Sequence, residues 1–491
     1  MPAGLRRSIG DPDIIPFQQG ASRILGGAEL SKSRGLRGLR QIASPQRSVG
    51  VEYRGPRQIA SSQQSVGVEQ IASPQQFVGV ALERQLTVWA VFLFAVLVRV
   101  AVIGGSIGFY TPAPAEPAAD SRIHFALVQN LLAGRGFSLQ GPTAITPPLY
   151  VFFLAGVYRV LDSPAAVRVL QALLGGLACV LLYAVARRLA DPTTALVAGA
   201  VMGAHPLVAY LAGLHLTENL FLIFILLAVL QSTAVARRPR PSAAFSLGVL
   251  VGLAALTRAV YLFFIPLLLP WAMAQWGWRA PRAYRVFALA TAGAVLVISP
   301  WTLRNYMVFR AVVPVQSNGG MVFWAGNNPL ADGGMVWPSR GTWTNGAPPD
   351  DGMYGWRNHS LAEENRIYLR TAFAWIADHP QDYAHLLGRK LARLYGFARA
   401  NDAPQPKIPF AADLAQAVFL VTAFAGALLT APRWREFAIL FLLAAFTNVT
   451  TLLFSGGTRY SLPMIPALIV FAAVAVTAAV SCSARVMEAA R

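Results

Sequence analysis

The sequence is poor in charged residues and in cysteine. Of its 491 residues only 13% are charged, whereas a soluble domain carries about a quarter, and the mean hydropathy is +0.49. The two cysteines, Cys179 and Cys482, both lie inside apolar runs, so neither a disulfide framework nor a cysteine metal cluster is expected, and both are predicted to be packing residues. This composition excludes an ordinary soluble domain and predicts a polytopic membrane protein.

Lysine is also scarce, and arginine supplies most of the formal net charge of +19. Arginine-rich codon usage explains the larger part of this bias, and attraction to anionic lipid head groups or phosphates is the functional alternative. Because the charge lies in loops between apolar runs and not on one soluble face, nucleic-acid binding is not expected.

Several catalytic signatures are missing. The sequence has no phosphate-loop or dinucleotide-binding spacing, no metal-ligand spacing and no nucleophile elbow. A soluble nucleotide sugar or ATP is therefore not expected as the substrate. No cofactor and no metal site are predicted with certainty, and the use of a divalent metal stays open.

Residues 1–84 differ from the rest of the chain. A short motif that begins Gln-Ile-Ala-Ser occurs three times, at Gln41, Gln58 and Gln70. Each copy is too short and too polar to bury a core, so the segment is predicted to be a disordered cytoplasmic extension. Residues 85–491 are predicted to form one membrane domain.

The apolar runs after residue 85 are long and do not alternate in polarity, which favours helices over a β-barrel. With about 20 residues per span, the sequence predicts an all-α bundle of about ten transmembrane helices. The expected spans lie near 86–109, 164–186, 193–214, 217–236, 243–257, 260–275, 286–302, 412–431, 436–454 and 462–482.

Arginine-bearing loops follow alternate spans, which places the amino terminus in the cytoplasm. Two long segments, 110–163 and 303–411, then lie on the outer side and are large enough to build a site. The first contains an amphipathic stretch from Asp120 to Ala133 and an apolar stretch, 147–158, that is too short to span and is predicted to be an interfacial helix.

Asp120 is the leading candidate for chemistry in the first outer segment. It follows the first apolar run and precedes an amphipathic helix. An aspartate in that position is also a favoured N-cap, and residue type alone leaves both interpretations open. Glu218, with His215 three residues before it, is a second ionisable group at the outer membrane boundary, where such groups often mark function.

Three outer span ends carry arginine, at Arg258, Arg304 and Arg459. Each alone is typical of a side chain that anchors a helix at the interface. Together they can converge on a phosphate, for which guanidinium is well shaped, and His215 is added as a fourth candidate ligand for that phosphate.

A turn-rich loop, 319–334, carries asparagine amides that can bind sugar hydroxyls and a tryptophan that can present its face to a sugar ring. Tight-turn chemistry explains the same residues without any ligand. The candidates for binding sugar or acceptor are Asn318, Trp324, Asn327, Asn328 and Tyr150.

The order of these motifs resembles a known family. An acidic residue after the first span is followed by "NLLAGRGFS", "PPLY", "HLTENLF", "GLAALTR", "PWTLRNY", "GGMVFWAGNNP" and "RYSLPMIP". Over about residues 86–483 this order is similar to bacterial GT-C-fold glycosyltransferases related to protein O-mannosyltransferases and to the aminoarabinose transferases of lipid A.

The resemblance implies a function and a place. The donor is a polyprenyl-phosphate-linked sugar, and a carboxylate in the first outer loop, which Asp120 matches by position, is the base that activates an acceptor hydroxyl. The sugar is transferred with inversion to a lipid, glycan or protein, at the outer face of the bacterial inner membrane. Glu218 is the second candidate catalytic carboxylate.

Two positions depart from the family pattern. Ser121 follows the aspartate where the O-mannosyltransferases have glutamate, and Thr146 precedes the Pro-Pro pair where many relatives have a basic residue. Arg258, Arg304 or Arg459 would then bind the donor phosphate. A transporter or flippase for a lipid-linked substrate is the alternative function, and a pseudoenzyme is a third.

Overall fold

The computed structural model describes residues 74–336, 361–397 and 410–489. The chain divides into two units, Met1–Ile71 and Ala72–Arg491. The first unit lies outside the described residues, and so does nearly all of the predicted extension 1–84. The first helix begins at Pro74, inside the third copy of the repeat and upstream of the predicted border at residue 84.

The described residues are helical, apart from turns and one isolated β-bridge between Ser138 and Pro142. The α-helices are α1 (Pro74–Ser106), α2 (Ala119–Leu132), α3 (Pro148–Leu161), α4 (Pro164–Leu189), α5 (Pro192–Ala204), α6 (Pro206–Leu211), α7 (Glu218–Arg237), α8 (Pro241–Thr257), α9 (Leu268–Trp276), α10 (Pro281–Phe309), α11 (Gly319–Ala325), α12 (Leu361–Asp378), α13 (Pro380–Leu394), α14 (Phe410–Thr430), α15 (Trp434–Leu453) and α16 (Ile465–Ala489).

Within the described segments, 7 stretches are long and apolar enough to cross a membrane, and they are Leu82–Ser106, Pro164–Leu189, Glu218–Arg237, Ala259–Trp276, Pro281–Phe309, Asp413–Leu453 and Ile465–Glu488. The prediction of an all-α, multi-pass membrane protein is therefore confirmed. The predicted number of about ten spans is not, because three apolar helices, α3, α5 and α8, are shorter, and Asp413–Leu453 contains both α14 and α15.

The predicted span 193–214 is wrong as one continuous helix. It is divided between α5 and α6 at His205, whose backbone is extended with φ −64° and ψ 117°. Pro206 causes this break, because proline lacks an N–H donor and pushes the preceding residue out of the α region. The chain then turns into the interior, where Leu214, His215 and Leu216 are buried.

Helices α8 and α10 approach each other closely through glycine. A Cβ atom at Gly248 would lie 1.7 Å from the carbonyl oxygen of Ala290, and one at Gly293 would lie 2.2 Å from that of Phe245. Small residues allow such contact between helix backbones in membrane bundles. The contact fixes α8, whose last residue, Thr257, directly precedes Arg258.

Arg99 is fully buried in the apolar part of α1. Its guanidinium donates hydrogen bonds to the carbonyl oxygens of Ala95 at 2.9 Å and Gly203 at 3.3 Å, and it lies 3.5 Å from the Cys179 sulfur. These contacts join α1 to α4 and α5. Arg99 is therefore a tie between helices, and Cys179 is a buried packing residue, as predicted from its apolar surroundings.

Candidate active site

The main cavity has a volume of about 780 Å³. Its walls come from α2, from the turn after α8, from α11 and α12, and from α15 with the loop that leads to α16. Five of the candidate site residues line it, and they are Asp120, Arg258, Asn318, Trp324 and Arg459. Segments that are far apart in the sequence therefore line the same cavity.

A cluster of four charged side chains lies at one wall of this cavity. The Nη1 atom of Arg459 is 2.8 Å from Oδ2 of Asp120, and its Nε atom donates to Oε1 of Glu218. The Nη1 atom of Arg258 is 3.3 Å from the same Glu218 oxygen. The two carboxylates and the two guanidiniums thus form one connected group.

Arg258 is held by aromatic rings as well as by Glu218. Its guanidinium carbon lies 5.7 Å from the centre of the Phe221 ring and 5.9 Å from that of Tyr460. An arginine placed over aromatic faces gains cation–π attraction. The ring contacts and the carboxylate therefore fix the guanidinium where it faces the cavity.

Asp120 lies in the first turn of α2, and the N-cap is Ala118, which makes no side-chain cap hydrogen bond. The N-cap interpretation of Asp120 is therefore wrong. Burial raises the pKa of the Asp120 carboxyl, but the guanidiniums of Arg459 and Arg258 outweigh that effect, so the pKa lies below its usual value. The side chain is 47% exposed, and the carboxylate is both ionised and reachable.

Glu218 lies in the first turn of α7, as the sequence indicated, but its side chain is only 1% exposed. The cavity wall at this point is made by its neighbour Thr217. A buried carboxylate needs charged partners to offset its lost hydration, and Arg258 and Arg459 supply them. Glu218 contacts these two cations and not the open cavity.

His124 also lines the cavity, one helical turn after Asp120, and the sequence analysis missed it. Its Nδ1 atom is 3.0 Å from the carbonyl oxygen of His215, which can only accept, so Nδ1 carries the proton. Its Nε2 atom then accepts from the Thr146 hydroxyl at 3.3 Å. Burial lowers the pKa of His124 more than Asp120 raises it, which keeps the imidazole neutral. The four-residue spacing from Asp120 was the available signal.

His215 belongs to a separate buried network and does not line the cavity. Its Nδ1 atom is 2.5 Å from Oε1 of Glu116, and its Nε2 atom is 2.8 Å from the Tyr158 hydroxyl. The same Glu116 oxygen is 2.6 Å from Nη2 of Arg168. His215 is therefore not placed to contact a phosphate, because its Nδ1 atom contacts Glu116. Glu116 was not predicted from the sequence.

Two amide-bearing residues also line the cavity. Asn318 and Gln316 lie just before α11 and contact each other, and Trp324 follows within α11. The Trp324 ring lies 5.7 Å from the ring of Tyr368 in α12, which also lines the cavity. Amides and aromatic faces of this kind can bind hydroxyl groups and sugar rings.

Asn365 joins α12 to the start of α11. Its Nδ2 atom donates to the carbonyl oxygen of Ser317 at 2.5 Å, and its Oδ1 atom accepts from the Gly320 amide at 2.7 Å. One side chain thus satisfies a donor and an acceptor of the turn that carries Asn318.

Four further residues that were predicted to bind substrate do not line the cavity. Their polar atoms form hydrogen bonds with other protein groups. Asn327 accepts from Lys390 at 2.7 Å, Asn328 donates to the carbonyl oxygen of Trp324 at 3.1 Å, and the Tyr150 hydroxyl donates to Gln171 at 3.0 Å. Arg304 donates to the carbonyl oxygens of Thr143 and Phe137 at 2.8 and 3.1 Å. These contacts replace the predicted binding roles with structural ones.

Within the described ranges, no group of three or more His, Cys, Asp or Glu side chains could hold a metal ion. The cavity carries two cations, Arg258 and Arg459, where an anion can bind, and two carboxylates, Asp120 and Glu364. Asp120 contacts Arg459 and is the carboxylate placed to accept a proton beside the cations. This arrangement suits proton abstraction beside a phosphate.

Solved structures to which this chain is similar include those of an oligosaccharyltransferase from Archaeoglobus fulgidus. Its structure in the apo form gives a TM-score of 0.49 at 14% identity, over 82% of this chain and 52% of that one. The same organism's AglB in complex with an inhibitory peptide and a dolichol-phosphate gives a TM-score of 0.48 at 13% identity, over 83% and 52%. The chain spans about half the length of these proteins.

A sequence family gives a more specific match. Residues 146–303 match the model of the dolichyl-phosphate-mannose-protein mannosyltransferase family. No curated protein is similar enough in sequence to be matched with this chain. Over residues 146–303, the family match confirms the resemblance to the protein O-mannosyltransferases that was inferred from the order of the motifs.

Proposed function

We propose that this protein is a membrane glycosyltransferase that moves a sugar from a polyprenyl-phosphate donor to an acceptor hydroxyl. The observation that carries the proposal is the meeting of Asp120 with Arg258 and Arg459 in one cavity of a membrane bundle. The matched family, whose name includes a lipid-phosphate sugar, supports the same class of donor.

The donor phosphate contacts Arg258 and Arg459, since guanidinium donors suit phosphate oxygens. The lipid chain lies along an apolar part of the wall, and Val260, Leu262 and Phe454 are among the residues that line it. The sugar and the acceptor lie toward Asn318 and Trp324. This placement brings the anomeric carbon next to the phosphate, on the side of the cavity where Asp120 can reach the acceptor hydroxyl.

Asp120 accepts the proton of the acceptor hydroxyl, and the acceptor oxygen forms a bond to the anomeric carbon. The bond between that carbon and the phosphate oxygen breaks, and its electron pair stays on the leaving polyprenyl phosphate. A positioned base contributes about 10²–10⁴-fold to such a step, and the guanidiniums stabilise the developing phosphate charge. Attack opposite the leaving group inverts the anomeric centre.

The cellular arrangement follows the charge of the loops. The amino terminus is cytoplasmic, the cavity faces the outer side of the inner membrane, and residues 1–84 form an extension outside the catalytic domain 85–491. The acceptor is a lipid, a glycan or a protein, and mass spectrometry of all three classes in a deletion strain would identify it.

The test is release of lipid phosphate by purified protein from radiolabelled polyprenyl-phosphate hexoses and pentoses, with lipids, glycans and proteins from the deletion strain added as acceptors. We expect release by the wild type and a loss of about 10²–10⁴-fold in Asp120→Asn. Asp162→Asn makes the same chemical change at the end of α3, away from the cavity, where the left-handed backbone with φ 36° accepts asparagine. It should keep activity. Full activity of Asp120→Asn, or no release from any donor, would contradict the proposal.

A further inference from the structure

The two carboxylates that contact Arg459 are embedded very differently. The Glu218 side chain is 1% exposed, whereas that of Asp120 is 47% exposed and that of Arg459 is 27% exposed. A buried carboxylate that loses its cation is left without hydration, which is strongly unfavourable. An exposed carboxylate that loses its cation is hydrated by water instead. Arg459 can therefore leave Asp120 far more easily than it can leave Glu218.

The guanidinium of Arg459 uses separate nitrogens for the two contacts. Nε donates to Glu218, and Nη1 contacts Asp120. Arginine holds its donors in a rigid planar fork, so the Nε contact fixes the plane while Nη1 faces the cavity. Rotation away from Glu218 is not needed for Nη1 to exchange one anionic partner for another.

The four-residue cluster has no net charge, since the carboxylates of Asp120 and Glu218 balance the guanidiniums of Arg258 and Arg459. An incoming phosphate therefore meets no excess of positive charge. It is attracted by Arg459 and repelled by Asp120, which competes for the same donor. Phosphate binding and the Asp120 ion pair are thus opposed.

We infer that Arg459 is a shared cation, anchored by Glu218, that passes from Asp120 to the phosphate of the bound lipid and so frees the carboxylate. The inference rests on the proposed function and adds a binding order, with donor before acceptor. Glu218 is then a positioning residue that acts through Arg459. The Asp120 carboxylate becomes available for the acceptor proton only when the lipid-linked sugar donor is bound. Asp120 therefore does not take up a proton in the absence of the donor.

The same relation governs the end of the reaction. After transfer, Asp120 carries the proton of the acceptor and no longer competes for Arg459. The polyprenyl phosphate stays bound to Arg258 and Arg459 until Asp120 loses that proton. Release of the lipid phosphate is therefore linked to deprotonation of Asp120.

Coupling between two ligands of one group is reciprocal. If phosphate displaces Asp120 from Arg459, then removal of the Asp120 charge must tighten phosphate binding. The measurement is the affinity of purified protein for farnesyl phosphate, with the uncharged alcohol farnesol as the reference for the apolar chain. We expect Asp120→Asn to bind farnesyl phosphate about fivefold or more tightly than the wild type, with no change for farnesol. Asp162→Asn is the charge-matched control and should bind like the wild type.

A double-mutant comparison assigns the effect to Arg459. Arg459→Lys keeps the charge but has one ammonium group in place of a fork of donors, so Asp120→Asn should tighten binding less in that background than in the wild type, leaving only the relief of repulsion between Asp120 and the phosphate. If Asp120→Asn fails to fold, Asp120→Ser removes the same charge and is used instead.

The outcomes separate the two proposals. If no variant prefers farnesyl phosphate to farnesol, the phosphate site is absent and the proposed function fails with the inference. If all variants prefer farnesyl phosphate, but Asp120→Asn binds it equally well or more weakly than the wild type, only the sharing of Arg459 is overturned.

Discussion

The Nη1 atom of Arg459 lies 2.8 Å from Oδ2 of Asp120, so the candidate base is held in an ion pair. Burial raises the pKa of Asp120, yet the guanidiniums of Arg459 and Arg258 hold it below the usual value. A base with a low pKa is ionised but weak. The ion pair with Arg459 therefore weakens Asp120 as a base.

The first prediction concerns pH. Asp120 must be deprotonated to act as a base, so the rate rises with pH as its pKa is passed. The pH dependence of kcat/KM reports the free enzyme, where the pKa is lowered, and that of kcat reports the complex. If Arg459 moves to the phosphate, the acid limb of kcat should lie at higher pH than that of kcat/KM. Coincident limbs would speak against release of Asp120 by the donor.

The second prediction concerns the buried carboxylate. Glu218→Gln leaves two guanidiniums near an amide in a buried place, and breaking such a pair costs about 3–5 kcal/mol. The melting temperature in detergent should fall clearly. Glu436→Gln is the matched control, since its partner Arg433 and Glu436 itself are 52% and 51% exposed, and exposed pairs contribute about 0–1 kcal/mol. Equal melting temperatures for both variants would show that the Glu218 pairs are not stabilising.

The third prediction concerns Lys390, which is fully buried and donates to Asn327 at 2.7 Å and to the Leu452 carbonyl at 2.9 Å. Burial lowers the pKa of Lys390 to about 7. Between this value and the unfolded value of about 10.4, the unfolded chain binds one proton more, so stability increases with pH by about 1.4 kcal/mol per unit. Thermal unfolding across this range measures it.

Two substitutions that replace a basic side chain by uncharged methionine test the role of Lys390. Lys390→Met should lose the rise in stability with pH and should also be less stable, because two acceptors lose their donor at about 1–3 kcal/mol each. Arg389→Met, at an exposed neighbouring position, should keep the rise. A rise that survives in Lys390→Met belongs to another group.

The fourth prediction concerns the contact between α8 and α10. Gly248→Ala places a Cβ atom 1.7 Å from the Ala290 carbonyl oxygen, so the helices must separate. Overpacking of this kind costs about 1–3 kcal/mol, and the shift of α8 should weaken farnesyl phosphate binding through Arg258. Gly156→Ala in α3 meets nothing within 4 Å and should be neutral or slightly stabilising. Similar melting temperatures for the two variants would contradict the close contact.

Much of the fold could be predicted because the membrane limits the choice. Long apolar runs have to be helices. The expected runs near 164–186 and 286–302 lie within α4 and α10, and the run near 86–109 lies within α1 up to its end at Ser106. The error at 193–214 was avoidable, since Pro206 is visible in the sequence. Hydropathy alone does not register a missing backbone donor.

The site was predictable only in part. Asp120, Arg258 and Arg459 were selected because they share one side of the membrane, and they do meet in one cavity. His215 and Asn327 met the same criterion, but Glu116 and Lys390 hold them elsewhere. Which polar group pairs with which depends on contacts between distant segments, and a single sequence does not record those contacts. The roles of the residues in the cavity stay predictions.

The bridge made by Asn365 has a mechanical consequence. Separating α12 from the turn before α11 would leave the Ser317 carbonyl and the Gly320 amide without partners, at about 1–3 kcal/mol for each group if it stays buried. If the cavity widens on this side, α11 and α12 therefore move together. An acceptor that displaces Tyr368 would also displace Asn318, so the size of the acceptor would change the position of the amide that binds its hydroxyl groups.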